Sequence, residues 1–278
     1  MLIAQTSAGV AVRRPDGYAL LDLGGASLEE LIRAEQLETA KTARTRAVVA
    51  ADAVVVLPPI RRPGKVCIVG LNYSDHAREI NSPVPVQVRF NYTVGSAVIG
   101  PHDDIVLPDF APAQVDYEGE LALIVGRTAH DVPEESAWEH VAGVTAANDV
   151  SARDVQLGRG AHVAGSNVGV AKGFDSFKPM GPALLTADEL TPDTPLKIRT
   201  IVDGAVRQES STANLVFGVS QLVSAISRYT TLEPGDAILT GTPGGVALTT
   251  GQYLTEGQIV EVELERVGCL RNQVVRRP

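Results

Sequence analysis

Two glutamates, Glu118 and Glu120, flank a glycine in the segment VDYEGELALIVG. In an extended strand, residues two apart project to the same face, so both carboxylates point together past the bare Gly119. Like charges at that spacing repel unless a cation joins them or solvent screens them at a strand end. Asp149 closes a second apolar run, VAGVTAAND, where such a strand emerges from the core. Three carboxylates with no Cys or His at ligand spacing make a hard oxygen donor set, suited to Mg²⁺ or Mn²⁺ with water completing the shell. Solvated glutamates at a strand end and an Asp capping the next turn satisfy the same pattern.

His76 and Glu79 lie three apart in LNYSDHAREI, where a short helix after Ser74 sets them on one face. A carboxylate that holds an imidazole makes the His a general base toward water, although surface pairs share the spacing. Lys172 sits in GSNVGVAKGFDSF, a glycine-rich stretch that lets a cation approach a ligand but does not match GxxxxGK[ST]. Arg153 and Gln156 follow Asp149 on one helical turn, where an Arg either forks onto a carboxylate or lies exposed. His102, His130, His140 and His162 occur in loop-like or charged helical contexts and are assigned structural or solvent roles.

Strand-like runs must position these groups. They recur at LALIVGR, AGVTAAND, ALLTADEL, KIRTIVDG, DAILTGTPGG and IVEVELERVG, against fewer helical patterns at SDHAREI, VPEESAWEHV and LVFGVSQLVSAISRYTTL. That balance predicts a strand-dominated α+β fold rather than βαβ repetition. In IVDGAVRQESS, Asp203-Gly204 supplies a two-residue hairpin turn. The first segment reads as two short strands around Pro15-Asp16-Gly17 and a helix starting at Ser27 in SLEELIRAEQLET. Pro58, Pro59, Pro63 and Gly64 then form a stiff connector, which predicts a small N-terminal domain over 1–62 and a catalytic domain over 63–278.

The 278 residues carry 24 Lys+Arg against 33 Asp+Glu, a net charge of −9, which argues against nucleic acid as a partner. With 44% hydrophobic and 21% charged residues the chain is globular rather than disordered. Cys67 and Cys269 are the only cysteines, too few for a disulfide framework or a Cys-based zinc site. No apolar run reaches the roughly 18 residues of a membrane span, and the N-terminus lacks a secretory h-region. A cytoplasmic protein without membrane attachment is expected.

Taken together, the segments KVCIVGLNYSDHAREI, SAVIGPHDDIVLP, QVDYEGELALIVGR, AGVTAANDVSARDVQ, AKGFDSFKPMGP and LEPGDAILTGTPGGV resemble the fumarylacetoacetate hydrolase family, in family order from about Lys65 to the C-terminus. The resemblance implies mixed β-sheets rolled around a divalent-metal site, with Glu118, Glu120 and Asp149 as ligands to Mg²⁺ or Mn²⁺. It implies catalytic roles for His76 and Glu79 on a lid helix and for Lys172. Arg153, Gln156 and Thr242 are implied at the substrate, and a homodimer as the assembly. Two departures from the family pattern stand out. Asn91, Tyr92 and Thr93 replace a Lys-Pro neighbourhood, and Gly173 stands where Ser is usual; both bear on the substrate.

With these roles, the resemblance implies cleavage of a carbon–carbon bond in a small anionic acylpyruvate-like 2,4-dioxo acid, with the metal as Lewis acid and template and an enolate as leaving group. His76 would deprotonate water, and Lys172 would stabilise the oxyanion. Decarboxylation of oxaloacetate or a related β-keto acid, and hydration or isomerisation of an unsaturated 2-oxo acid, are the alternatives. A non-catalytic 2-oxo acid binder is a third class, which loss of His76, Glu79 or Lys172 would have favoured; all three are present.

Overall fold

The computed structural model describes residues 1–111, 113–159 and 165–276; His162 lies outside them. Among the described residues the chain forms a mixed sheet of twelve strands, a five-stranded sheet and a two-stranded ribbon. No helix among them is long and apolar enough to cross a membrane.

The centre of the large sheet is the antiparallel pair Gly119–Val125 and Val141–Asn148, in the register Gly119↔Asn148 and Glu120↔Ala147. Both faces of this pair are covered, which is why the sequence there shows no polar alternation. Leu121, Leu123 and Val125 enter one core with Leu222, Val223 and Ile226 of the helix Val219–Ser227 and with Ile198, Val262 and Leu264 of the five-stranded sheet. Ala122 and Ile124 enter a second core with Leu28, Leu31 and Ile32 of the helix Leu28–Arg33. Strands Lys178–Thr186 and Ala237–Leu239 flank the pair, and Val66–Val69 and Phe90–Thr93 continue the sheet to its edge.

The N-terminal segment holds three strands before its first helix, Leu2–Thr6, Gly9–Arg14 and Gly17–Leu21, where the sequence suggested two. The extra turn falls at Ser7-Ala8, ahead of Gly9 at φ 119°. The helix expected from Ser27 does start there, with Ser27 and Glu30 forming a reciprocal cap, but it stops at Arg33 and resumes as Leu37–Thr42. Glu35 at φ 56° makes the break. Strand Leu2–Thr6 pairs with Lys178–Thr186, so residues from both sides of the proline connector share one sheet.

Lys197–Val202 and Ala205–Ser211 form the expected hairpin, with Asp203 and Gly204 both at positive φ. The helix read into LVFGVSQLVSAISRYTTL covers only Val219–Ser227. Val216 and Phe217 are claimed instead by Asn72, whose backbone and side-chain oxygens accept from their amides.

Candidate active site

The antiparallel register brings the ends of the two central strands together, and the three carboxylates with them. Asp149 N donates to Glu118 O at 2.7 Å, and Glu118 N to Asn148 Oδ1 at 3.0 Å. Carboxylate oxygens of Glu118, Glu120 and Asp149 all lie within 4.8 Å of one another. The three residues are only 6%, 1% and 2% exposed, so a solvated strand end does not describe them. Gly119 serves the packing of the sheets: a Cβ there would stand 2.2 Å from Thr200 Oγ1 on the five-stranded sheet.

Buried carboxylates this close require compensating cations. Lys172 Nζ donates to Glu118 Oε2 at 2.5 Å, Asp149 Oδ2 at 2.6 Å and Ser151 Oγ at 2.8 Å. Arg153 donates through Nε to Asp116 Oδ2 at 2.8 Å, through Nη1 to Gln156 Oε1 at 2.7 Å, and through Nη2 to Glu118 Oε1. Asp116 is fixed in turn by the amides of Ala247 at 2.7 Å and Leu248 at 2.9 Å.

The charges divide the carboxylates. Burial raises the Glu118 carboxyl, but Arg153 and Lys172 outweigh it and hold the group well below the usual range. Burial, with Asp149 and Glu118 beside it, pushes Glu120 well above that range. Burial works against the charge on Lys172, and Asp149 and Glu118 more than restore it.

The donor set fits a hard divalent cation. It consists of oxygen alone, offered by three buried carboxylates whose ligand atoms lie within 4.8 Å of one another. Lys172 bridges two of the three carboxylates, and a divalent ion held by Glu118, Glu120 and Asp149 would compete with it for their oxygens.

His76 and Glu79 lie on the helix Ser74–Glu79, with His76 Nδ1 3.0 Å from Glu79 Oε2. Glu79 Oε1 accepts from Gly245 N at 2.9 Å and Thr249 Oγ1 at 2.6 Å. The loop that anchors Glu79 also anchors a metal-ligand candidate, since Gly241 N donates to Glu120 Oε2 at 2.7 Å. Gly241 and Gly245 are required there: both have φ near 100°, and a Cβ on Gly245 would meet Arg207 O at 2.0 Å. Thr242, between them, donates to Gly119 O at 3.0 Å and accepts from Gln208 Nε2 at 2.8 Å, which sets its hydroxyl against the Glu118–Glu120 segment.

Sequence reasoning missed Asp116, Ser151, Lys178 and Gln208. Asp116 had a signal, two residues before Glu118 on the same strand parity. Gln208 had none, because RQESS in a hairpin reads as an exposed edge, yet its side chain is buried and bonds Gly119 N, Thr242 Oγ1 and Pro243 O. The two departures from the family pattern meet in space. Thr93 Oγ1 donates to Gly169 O, and a Cβ on Gly173 would stand 2.9 Å from Thr93 Oγ1, so the glycine makes room for the threonine. His130 and His140 bond Thr231 Oγ1 and Thr128 O, away from the carboxylates.

Residues 65–275 match the family model for the fumarylacetoacetate (FAA) hydrolase C-terminal domain. Over 224 residues the chain is 43% identical to oxaloacetate tautomerase FAHD2A, mitochondrial, of Bos taurus, covering 80% of this chain and 70% of that protein. The fold is similar to that of fumarylacetoacetate hydrolase from psychrophilic Exiguobacterium antarcticum, at 32% identity and a TM-score of 0.81, with 100% of both chains covered. It is also similar to maleylpyruvate hydrolase from Sphingobium sp. SYK-6 in complex with manganese(II) and pyruvate, at 26% identity and a TM-score of 0.79, again over 100% of both chains. Sequence, fold and the clustered carboxylates agree: the chain belongs to the fumarylacetoacetate hydrolase family, whose members named above are enzymes.

Proposed function

We propose that this protein hydrolyses a carbon–carbon bond in a small anionic acylpyruvate-like 2,4-dioxo acid, with Mg²⁺ or Mn²⁺ held by Glu118, Glu120 and Asp149. The observation that carries the reading is the His76–Glu79 pair, tied by Glu79 to the same Gly241–Gly245 loop that fixes Glu120. One loop thereby holds Glu79, the partner of His76, and Glu120.

A bound divalent ion supplies Lewis acidity at the 2-oxo and carboxylate oxygens. The protein's own residues supply the rest. A carboxylate only accepts, so Glu79 keeps the proton of His76 on Nδ1 and leaves Nε2 as base. Nε2 takes a proton from water, and the hydroxide adds to the distal carbonyl carbon. Lys172 is the ammonium placed for the oxyanion; it reaches it by exchanging one of its three present acceptors. Collapse of the adduct breaks the bond between the distal carbonyl carbon and the methylene carbon. The bonding pair goes to the pyruvate fragment as its enolate, which is protonated at carbon. Arg153, fixed by Asp116 and Glu118, with Gln156 as its partner, and Thr242 orient the carboxylate end.

A second reading is keto–enol tautomerisation of oxaloacetate, favoured by the name of the 43% identical relative. His76 would then move a proton between carbon and oxygen with no bond to carbon broken. The assay follows acetylpyruvate, fumarylpyruvate and oxaloacetate with Mn²⁺, by enol absorbance and by product analysis. Carboxylic acid plus pyruvate from a dioxo acid supports hydrolysis; faster enol loss from oxaloacetate with no cleavage product supports the tautomerase. Metal-independent turnover, or none, overturns both.

A further inference from the structure

Lys178 carries an ammonium that the chemistry above does not use. It opens the strand Lys178–Thr186 and is 0% exposed. Its Nζ donates to Phe177 O at 2.9 Å and Val150 O at 3.1 Å, and stands 2.9 Å from Asp149 Oδ1. The two carbonyls accept hydrogen bonds from Nζ, and the third oxygen, Asp149 Oδ1, faces it as an ion pair. A fully buried lysine is rare, and an apolar side chain of similar volume often costs less. The retained charge therefore has a use.

Asp149 turns its two oxygens to different lysines, Oδ1 to Lys178 and Oδ2 to Lys172. Around them, four buried carboxylates, Asp116, Glu118, Glu120 and Asp149, face three buried cations, Arg153, Lys172 and Lys178. With Glu120 deprotonated, as a metal ligand must be, and the other groups ionised, one negative charge remains before the ion is counted. A divalent ion reverses that balance to one positive charge; without Lys178 the loaded site would be neutral.

We propose that Lys178 is a positioning residue that sets this site for anion capture. It holds Asp149 through Oδ1, leaves Oδ2 for the cation, and makes the metal-loaded site net positive while weakening the hold on the metal itself. The proposal rests on the reading of Glu118, Glu120 and Asp149 as metal ligands. Its consequence is a pair of effects with opposite signs, which loss of packing alone does not produce.

The test titrates the full chain with Mn²⁺, and the Mn²⁺-loaded protein with oxalate, by calorimetry. Lys178→Met is expected to bind Mn²⁺ about tenfold more tightly and oxalate about tenfold more weakly than the unaltered protein. Lys178→Gln, which keeps a hydrogen-bonding side chain beside the two carbonyls, carries the same expectation should the Met variant not fold. Lys178→Arg, which keeps the charge, is expected to restore both constants toward those of the unaltered protein. Weakening of both ligands together, or no change in either, overturns the proposal while leaving the metal reading intact. Mn²⁺ binding that survives Glu118→Gln, or none in the unaltered protein, overturns both.

Discussion

Replacing Lys172 by Met removes the ammonium that joins Glu118 to Asp149 and leaves both carboxylates buried with one fewer cation. Removing one partner of a buried ion pair costs about 3–5 kcal/mol, and the Ser151 hydrogen bond is lost with it. For a chain of this size, about 2–4 °C per kcal/mol converts that to a fall of roughly 10 °C in the melting temperature without divalent metal. A divalent ion on the same carboxylates supplies the missing charge and no longer has to displace Lys172, so the variant binds it more tightly; a thousandfold lower dissociation constant than that of the unaltered protein closes about 4 kcal/mol of the gap. The assay is a pair of melting curves for each protein, in EDTA and in Mn²⁺. The variant is expected to melt far below the unaltered protein in EDTA and to recover most of the gap in Mn²⁺. An equal deficit in both buffers would refute the reasoning, because Lys172 and the metal would then not share a position.

His76→Ala removes the base and is expected to lower turnover of a dioxo acid by about 10²–10⁴-fold while leaving the Mn²⁺ dissociation constant unchanged; a matching loss of Mn²⁺ affinity would contradict the assignment. Gly119→Ala drives a Cβ to 2.2 Å from Thr200 Oγ1 and is expected to cost about 1–3 kcal/mol in urea unfolding. Adding Thr200→Ala, which deletes a hydroxyl with no hydrogen-bond partner, should recover part of that loss. Burial, with Asp236 nearby, pushes the Cys67 thiol up to about 12 from the 9.0 of a free thiol. The unfolded chain then loses this proton at lower pH than the folded one, so stability falls as pH rises through 9 to 12, by about 1.4 kcal/mol per unit. Urea midpoints between pH 8 and 10.5 should show a shallower decline for Cys67→Ala than for the unaltered protein.

The carboxylates were legible because their logic is local. A strand period of two puts Glu118 and Glu120 on one face, and an apolar run ending in Asp149 places that residue at a strand end. Their meeting depends on the register Gly119↔Asn148, which no spacing within either segment specifies. Lys178 and Gln208 were illegible for the same reason. A lysine before a proline and a glutamine in a hairpin read as surface residues, and only pairing across the sheets buries them against Asp149 and Gly119. The helix over 219–227 was read too long because the apolar pattern of 215–218 fits a helix, while Asn72, some 145 residues away, takes the amides of Val216 and Phe217. The break between the first two helices turns on the positive φ of Glu35, a residue with no intrinsic preference for it.

The central claim is that Glu118, Glu120 and Asp149 hold the divalent ion on which the chemistry depends. Crystals grown with Mn²⁺ and oxalate, with diffraction recorded at the manganese absorption edge, test it most directly. The account predicts one anomalous peak among these three carboxylates, within about 2.0–2.3 Å of an oxygen from each, with Lys172 withdrawn from at least one of them. A peak elsewhere, or three carboxylates still bridged by Lys172 at saturating Mn²⁺, would contradict it.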